Sequence, residues 1–198
     1  MDLKQNLFKT CKLLILEPKK FWKELKLNID TPEQSFLVTD PVRRFIIPLI
    51  ILSGIAAFSG QIFQKEFLWS YAVLHAIREI ICYFLQFYIS VIVLYKLLIK
   101  YCIDPEKKIV TIIVAFSMLP SLLASIITRL VPETYAIKIF SLYGLYLFAV
   151  GASIMFEFTK ENKSRYIILS ILLLILSFGL LDTFTWRLSE IIFTNYVS

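Results

Sequence analysis

Polar and apolar positions along this chain come in blocks. Five continuously apolar stretches stand out, at about residues 45–63, 80–98, 109–128, 135–156 and 166–181. An α-helix rises about 1.5 Å per residue, so roughly 20 residues cross the ~30 Å hydrocarbon layer of a bilayer. The fifth block is the shortest, yet Ile167–Leu181 contains no charged residue. None of the blocks alternates, which predicts helices; an unpaired strand in lipid would leave its backbone groups unsatisfied. The expected fold is all-α: a multi-pass five-helix transmembrane bundle over residues 41–198, preceded by a leader, residues 1–40.

Local chemistry agrees with these boundaries. Asp40 before Pro41 has the pattern of an N-cap followed by proline at the first helical position. Pro105 and Pro132 fall between blocks, whereas Pro48 and Pro120 fall inside them and predict kinks. In the leader, Leu3, Leu7, Cys11 and Leu14 recur at helical spacing. Beyond Pro18, the residues Phe21, Trp22 and Leu25 share a face ringed by Lys19, Lys20, Lys23 and Lys26. Two amphipathic helices are expected there, lying in the interface with their lysines near anionic head groups. Anchoring by such helices is redundant in a chain with five spans. Phe21 and Trp22 are therefore expected to form a docking face for a protein partner. Residues 64–79 and 184–196 are open between interfacial helices and extensions of the neighbouring spans.

Composition narrows the class. The 198 residues are 58% hydrophobic and 18% charged, against about 45–50% and about 25% in ordinary soluble domains. So little polar surface cannot cover a soluble domain of this size, which excludes a soluble enzyme and makes the lipid bilayer the first partner. The net charge of +6 is scattered between apolar runs and does not gather on one water-facing surface, so nucleic acid is not expected. Counted by alternate connections, sixteen Lys and Arg fall on one side and five on the other. That asymmetry puts the N-terminus in the cytoplasm and the C-terminus outside.

Candidate chemistry is sparse. Arg78, Glu79, Glu157 and Asp182 sit at the ends of spans. Along the second block His75, Glu79, Cys82, Gln86 and Ser90 follow helical steps and form one polar seam. It faces either a cavity or neighbouring helices whose polar atoms it bonds, and a cavity reaching Gln86 would separate the two. Small residues predict close helix packing at Ser53, Ala56, Ala57 and Gly60, at Ser117 and Ser121 around Pro120, and at Gly144 and Gly151. Cys11, Cys82 and Cys102 form no C-x-x-C, and His75 is the single histidine, so no metal site is expected. No nucleophile–base pair, paired acids or phosphate-cradling loop is present, so neither catalysis nor a cofactor is expected.

Three short motifs carry a resemblance. Ala115-Phe116-Ser117-Met118-Leu119-Pro120-Ser121-Leu122-Leu123, closed by Leu130-Val131-Pro132, resembles the third span of Yip1-family proteins. Tyr143-Gly144-Leu145-Tyr146-Leu147, followed by Gly151, is similar to that family's Y-G-L-Y stretch. Leu16-Glu17-Pro18-Lys19-Lys20-Phe21-Trp22 is similar to the P-x-x-x-W entry of its bacterial members. The likeness covers about residues 10–180. It implies five spans, a cytoplasmic N-terminus and no known catalytic activity. Eukaryotic members act in ER–Golgi traffic and bind Rab-type GTPases and one another. Their D-L-Y-G-P signature is missing here and the leader is much shorter, which points to a bacterial inner-membrane member, the alternative being an ER or Golgi membrane. Two functions are expected from these observations. One is a non-enzymatic adaptor or subunit of a larger membrane assembly, with membrane-protein partners. The other is a small transporter or lipid-handling protein that uses the polar seam.

Overall fold

The computed structural model describes residues 7–29, 40–62, 68–102, 104–158 and 162–196. Among these residues the chain forms α1 (Leu7–Leu16), α2 (Pro18–Ile29), α3 (Val42–Ile62), α4 (Trp69–Leu98), α5 (Lys107–Leu130), α6 (Glu133–Met155) and α7 (Asn162–Tyr196). Five of them, α3 to α7, are long and apolar enough to cross a membrane. The protein is an all-α, multi-pass membrane protein.

Each span carries the mark of its sequence. Asp40 caps α3, its Oδ1 accepting a hydrogen bond from the Arg43 backbone N–H at 3.0 Å. The first turns of α3 widen to a π-helix over Val42–Ile46, just before Pro48, which has no N–H to donate. α5 breaks at Met118 into Lys107–Ser117 and Leu119–Leu130, with Pro120 in the first turn of the second half. α6 grows out of a 3₁₀ segment, Pro132–Leu142, before becoming regular at Tyr143. α4 and α7 are longer than their apolar blocks. Described residues 68–79 continue the second span from Trp69, and 184–196 continue the fifth.

α5 is the central span, with Ile112, Ile113, Ala115 and Phe116 fully buried. α4 packs on α3, α5 and α7, and α6 packs on α5. α7 is peripheral, with Ile168, Leu172, Leu176 and Leu180 exposed on its outer face, as a lipid-facing helix requires.

Small residues set the closest approaches. A Cβ on Gly60 would strike the Arg129 carbonyl of α5, and one on Gly144 would strike the Ser117 carbonyl. Ser53, Ala56, Ala57 and Pro120 are buried as well, and Ser121 is half-buried.

The leader corrects one expectation. Phe21 and Trp22 do not form an exposed docking face. Both have 0% exposure and lie inside the bundle, where their rings meet Phe116 edge-on at 5.1 and 6.1 Å. α2 packs on α6, and the Trp22 ring lies 2.8 Å from where a Gly151 Cβ would stand. The apolar face anticipated over Phe21, Trp22 and Leu25 does exist. Protein covers it, because Gly151 leaves an indole-sized space. Burial also pushes the Cys11 thiol up from its ordinary value.

Three connections meet at one end of the bundle. Lys26 of α2 lies 3.9 Å from Glu157, and the Cys102 thiol donates to the Glu157 carbonyl at 3.4 Å. The leader, the α4–α5 turn and the α6–α7 turn therefore share this end, as five alternating spans demand.

Candidate functional site

The opposite end holds a buried charge cluster. Three helical turns into α4, Glu79 is 5% exposed and Arg78 is 6% exposed. From the last turn of α5, Arg129 Nη2 reaches Glu79 Oε2 at 2.7 Å, and Ser125 Oγ donates to the other carboxylate oxygen. Arg78 Nη1 stands 3.9 Å from Glu79, while Arg78 Nη2 donates to Asp182 Oδ1 of α7 at 2.5 Å. The Arg78 guanidinium also lies over the Trp186 ring, 5.0 Å from its centroid. One cluster thus ties α4, α5 and α7 together.

The polar seam of α4 is buried along its whole length. His75, Glu79, Cys82, Gln86 and Ser90 are each at most 6% exposed. His75 packs between Tyr71 and Trp186, with centroid distances of 4.5 and 5.7 Å. Gln86 Nε2 donates to Cys82 Sγ at 3.5 Å, and the buried Ser90 hydroxyl has no hydrogen-bond partner among the described residues.

Below Glu79 the helices separate. A cavity of about 280 Å³ is lined by Glu79, Cys82, Tyr83 and Gln86 of α4, Ser121, Ser125 and Arg129 of α5, Lys138 and Ser141 of α6, and Phe178, Gly179 and Asp182 of α7. It reaches Gln86. A second cavity, about 180 Å³ and almost wholly apolar, lies between α5, α6 and α7. Ser121, Ser141 and Phe178 line both, so the polar and apolar cavities adjoin across these three side chains.

Both Glu79 oxygens are engaged, by Arg129 and by Ser125, which disfavours proton abstraction. Among the described residues no group of three His, Cys, Asp or Glu side chains could hold a metal ion.

The family model for the Yip1 domain matches residues 12–181, most of the chain. The chain belongs to the Yip1 family. No curated protein and no solved structure matches it. The matched Yip1 domain includes Arg78, Glu79, Ser125 and Arg129 and both cavities except for Asp182. It ends one residue before Asp182, so the clamp made by Asp182 and Trp186 on Arg78 lies just beyond it.

Sequence reasoning placed Glu79, Cys82 and Gln86 on one polar seam and expected Ser121 only as a helix-packing residue; it did not bring Arg129, Lys138, Asp182 or Phe178 into the same site. A signal was available. With five alternating spans, Arg78, Glu79, Arg129, Lys138 and Asp182 all fall at the same end. Which of them touch depends on helix rotation, and the sequence pattern leaves that open.

Proposed function

We propose that this Yip1-family membrane protein is non-enzymatic and handles a lipid, binding a single amphiphile between α4, α5, α6 and α7. The observation that carries this reading is the adjoining pair of cavities, which share Ser121, Ser141 and Phe178 in their walls. One is lined by charged and polar groups and reaches Gln86, and the other is apolar. A soluble metabolite would not use the apolar half, and a purely apolar ligand would leave the charged half unmatched.

The adaptor reading has lost Phe21 and Trp22 as its contact residues, because both are buried. A role in a larger membrane assembly would use other surfaces. The basic-residue asymmetry supports a cytoplasmic N-terminus and an outside C-terminus, an orientation with the charge cluster at the outer end of the bundle.

Native mass spectrometry of the full chain, purified in mild detergent, tests the reading. One retained amphiphile per chain is expected, and Gln86→Trp, which fills the polar cavity, should release it. A bare chain accompanied by a stoichiometric protein partner would favour the adaptor role and remove the lipid reading.

A further inference from the structure

We propose that the two adjoining cavities together hold one anionic phospholipid, its phosphate on Lys138 and one acyl chain between α5, α6 and α7. This rests on the lipid-handling reading and adds the chemical class of the ligand.

Charge selects the head group. In the polar cavity Arg129 is matched by Glu79 at 2.7 Å, and Asp182 is matched by Arg78 at 2.5 Å. Lys138 is left over. It has no carboxylate partner among the described residues, and its ammonium lies 4.6 Å from the Tyr135 ring centroid. The lining itself holds two cations and two carboxylates, but with Arg78, which stands behind the lining and neutralises Asp182, the cluster carries one cation in excess, on the exposed Lys138 side chain at the cavity's rim. A lysine ammonium binds phosphate as a point charge, without needing fixed geometry.

Shape and access select the tail. Leu142 and Ile175 line the apolar cavity and are 61% and 51% exposed, so it opens sideways towards lipid. An acyl chain can enter from the bilayer without crossing the protein. From Arg129 to Val114, the stretch of α5 that borders the two cavities, the helix covers about 22 Å. That is a head group plus the ~15 Å half-thickness of the hydrocarbon layer.

The test uses the full-length protein in mild detergent and titrates three probes by native mass spectrometry: phosphatidylglycerol, phosphatidylcholine and glycerol phosphate. Phosphatidylglycerol should bind at one per chain and more tightly than phosphatidylcholine, and glycerol phosphate should neither bind nor compete. Lys138→Glu should weaken phosphatidylglycerol by about tenfold or more. It should leave the unfolding temperature in place, because the side chain is exposed. Ser141→Phe, which narrows the junction of the two cavities, should also lose the lipid. If that variant misfolds, the Lys138→Glu comparison decides alone. Equal binding of both lipids, unchanged in Lys138→Glu, overturns the head-group assignment while lipid handling stands. Competition by glycerol phosphate shows a free-phosphate site and overturns the acyl-chain assignment. Binding of neither lipid overturns both readings.

Discussion

Arg129 Nη2 lies 2.7 Å from Glu79 Oε2, so the last turn of α5 is bonded to the third turn of α4 through a carboxylate only 5% exposed. Desolvating such a charge costs several kcal/mol, and partners must offset it. Ser125 and Arg129 do so directly, with Arg78 nearby.

Removing Glu79 alone should therefore be worse than removing the pair. Glu79→Leu leaves Arg129 without its carboxylate and is expected to cost about 3 kcal/mol or more. Adding Arg129→Leu should recover most of that loss, because an apolar pair of similar volume needs no charge compensation. Thermal unfolding of the three variants in detergent measures the coupling. Additive losses would show that the two side chains do not act as a unit.

Two glycines should respond in opposite directions. At Gly60 an added methyl meets the Arg129 backbone carbonyl, which cannot move without separating α3 from α5. Gly60→Ala is expected to destabilise by about 1–3 kcal/mol, the usual cost of overpacking. At Gly179 nothing lies within 4 Å of the added Cβ. Gly179→Ala should be neutral, or stabilise by up to about 1 kcal/mol through lower backbone entropy in the unfolded chain. Gly60→Ala should unfold below the wild-type temperature and Gly179→Ala at or above it.

Trp22→Ala should destabilise the bundle itself. The indole is fully buried against Phe21, Phe116 and Gly151, and emptying such a site typically costs about 3–5 kcal/mol. Loss of the monodisperse peak in detergent size-exclusion chromatography, or a large drop in unfolding temperature, is the expected result. A fully stable Trp22→Ala protein would mean that the leader does not pack on α6.

Topology can be read with reporters. An enzyme active only in the cytoplasm should work when fused after Lys108 and fail when fused after Ser198, given the sixteen-to-five distribution of basic residues. Activity at both positions would require an even number of spans between the N-terminus and Ser198.

The number of spans and the kink at Pro120 were legible in the chain because both depend on local properties, whereas α4 and α7 run beyond their apolar blocks. Apolar length decides whether a helix can cross lipid, and a proline removes its hydrogen bond wherever it stands. The helical faces were legible too, since periodicity places His75, Glu79, Cys82, Gln86 and Ser90 on one side of α4 and Phe21, Trp22 and Leu25 on one side of α2. What each face meets was decided only by the tertiary structure. The Trp22 face is as apolar against Gly151 and Phe116 as it would be against lipid, so hydrophobicity alone cannot choose between them. Likewise, the charges of Arg78, Glu79, Arg129 and Asp182 are visible in sequence, but their pairing requires α4, α5 and α7 to be rotated towards one point. Small-residue contacts such as Gly60 on Arg129 help to set how closely those helices approach. The cavities exist because that packing leaves a gap between helices, and a gap has no residue of its own in the sequence.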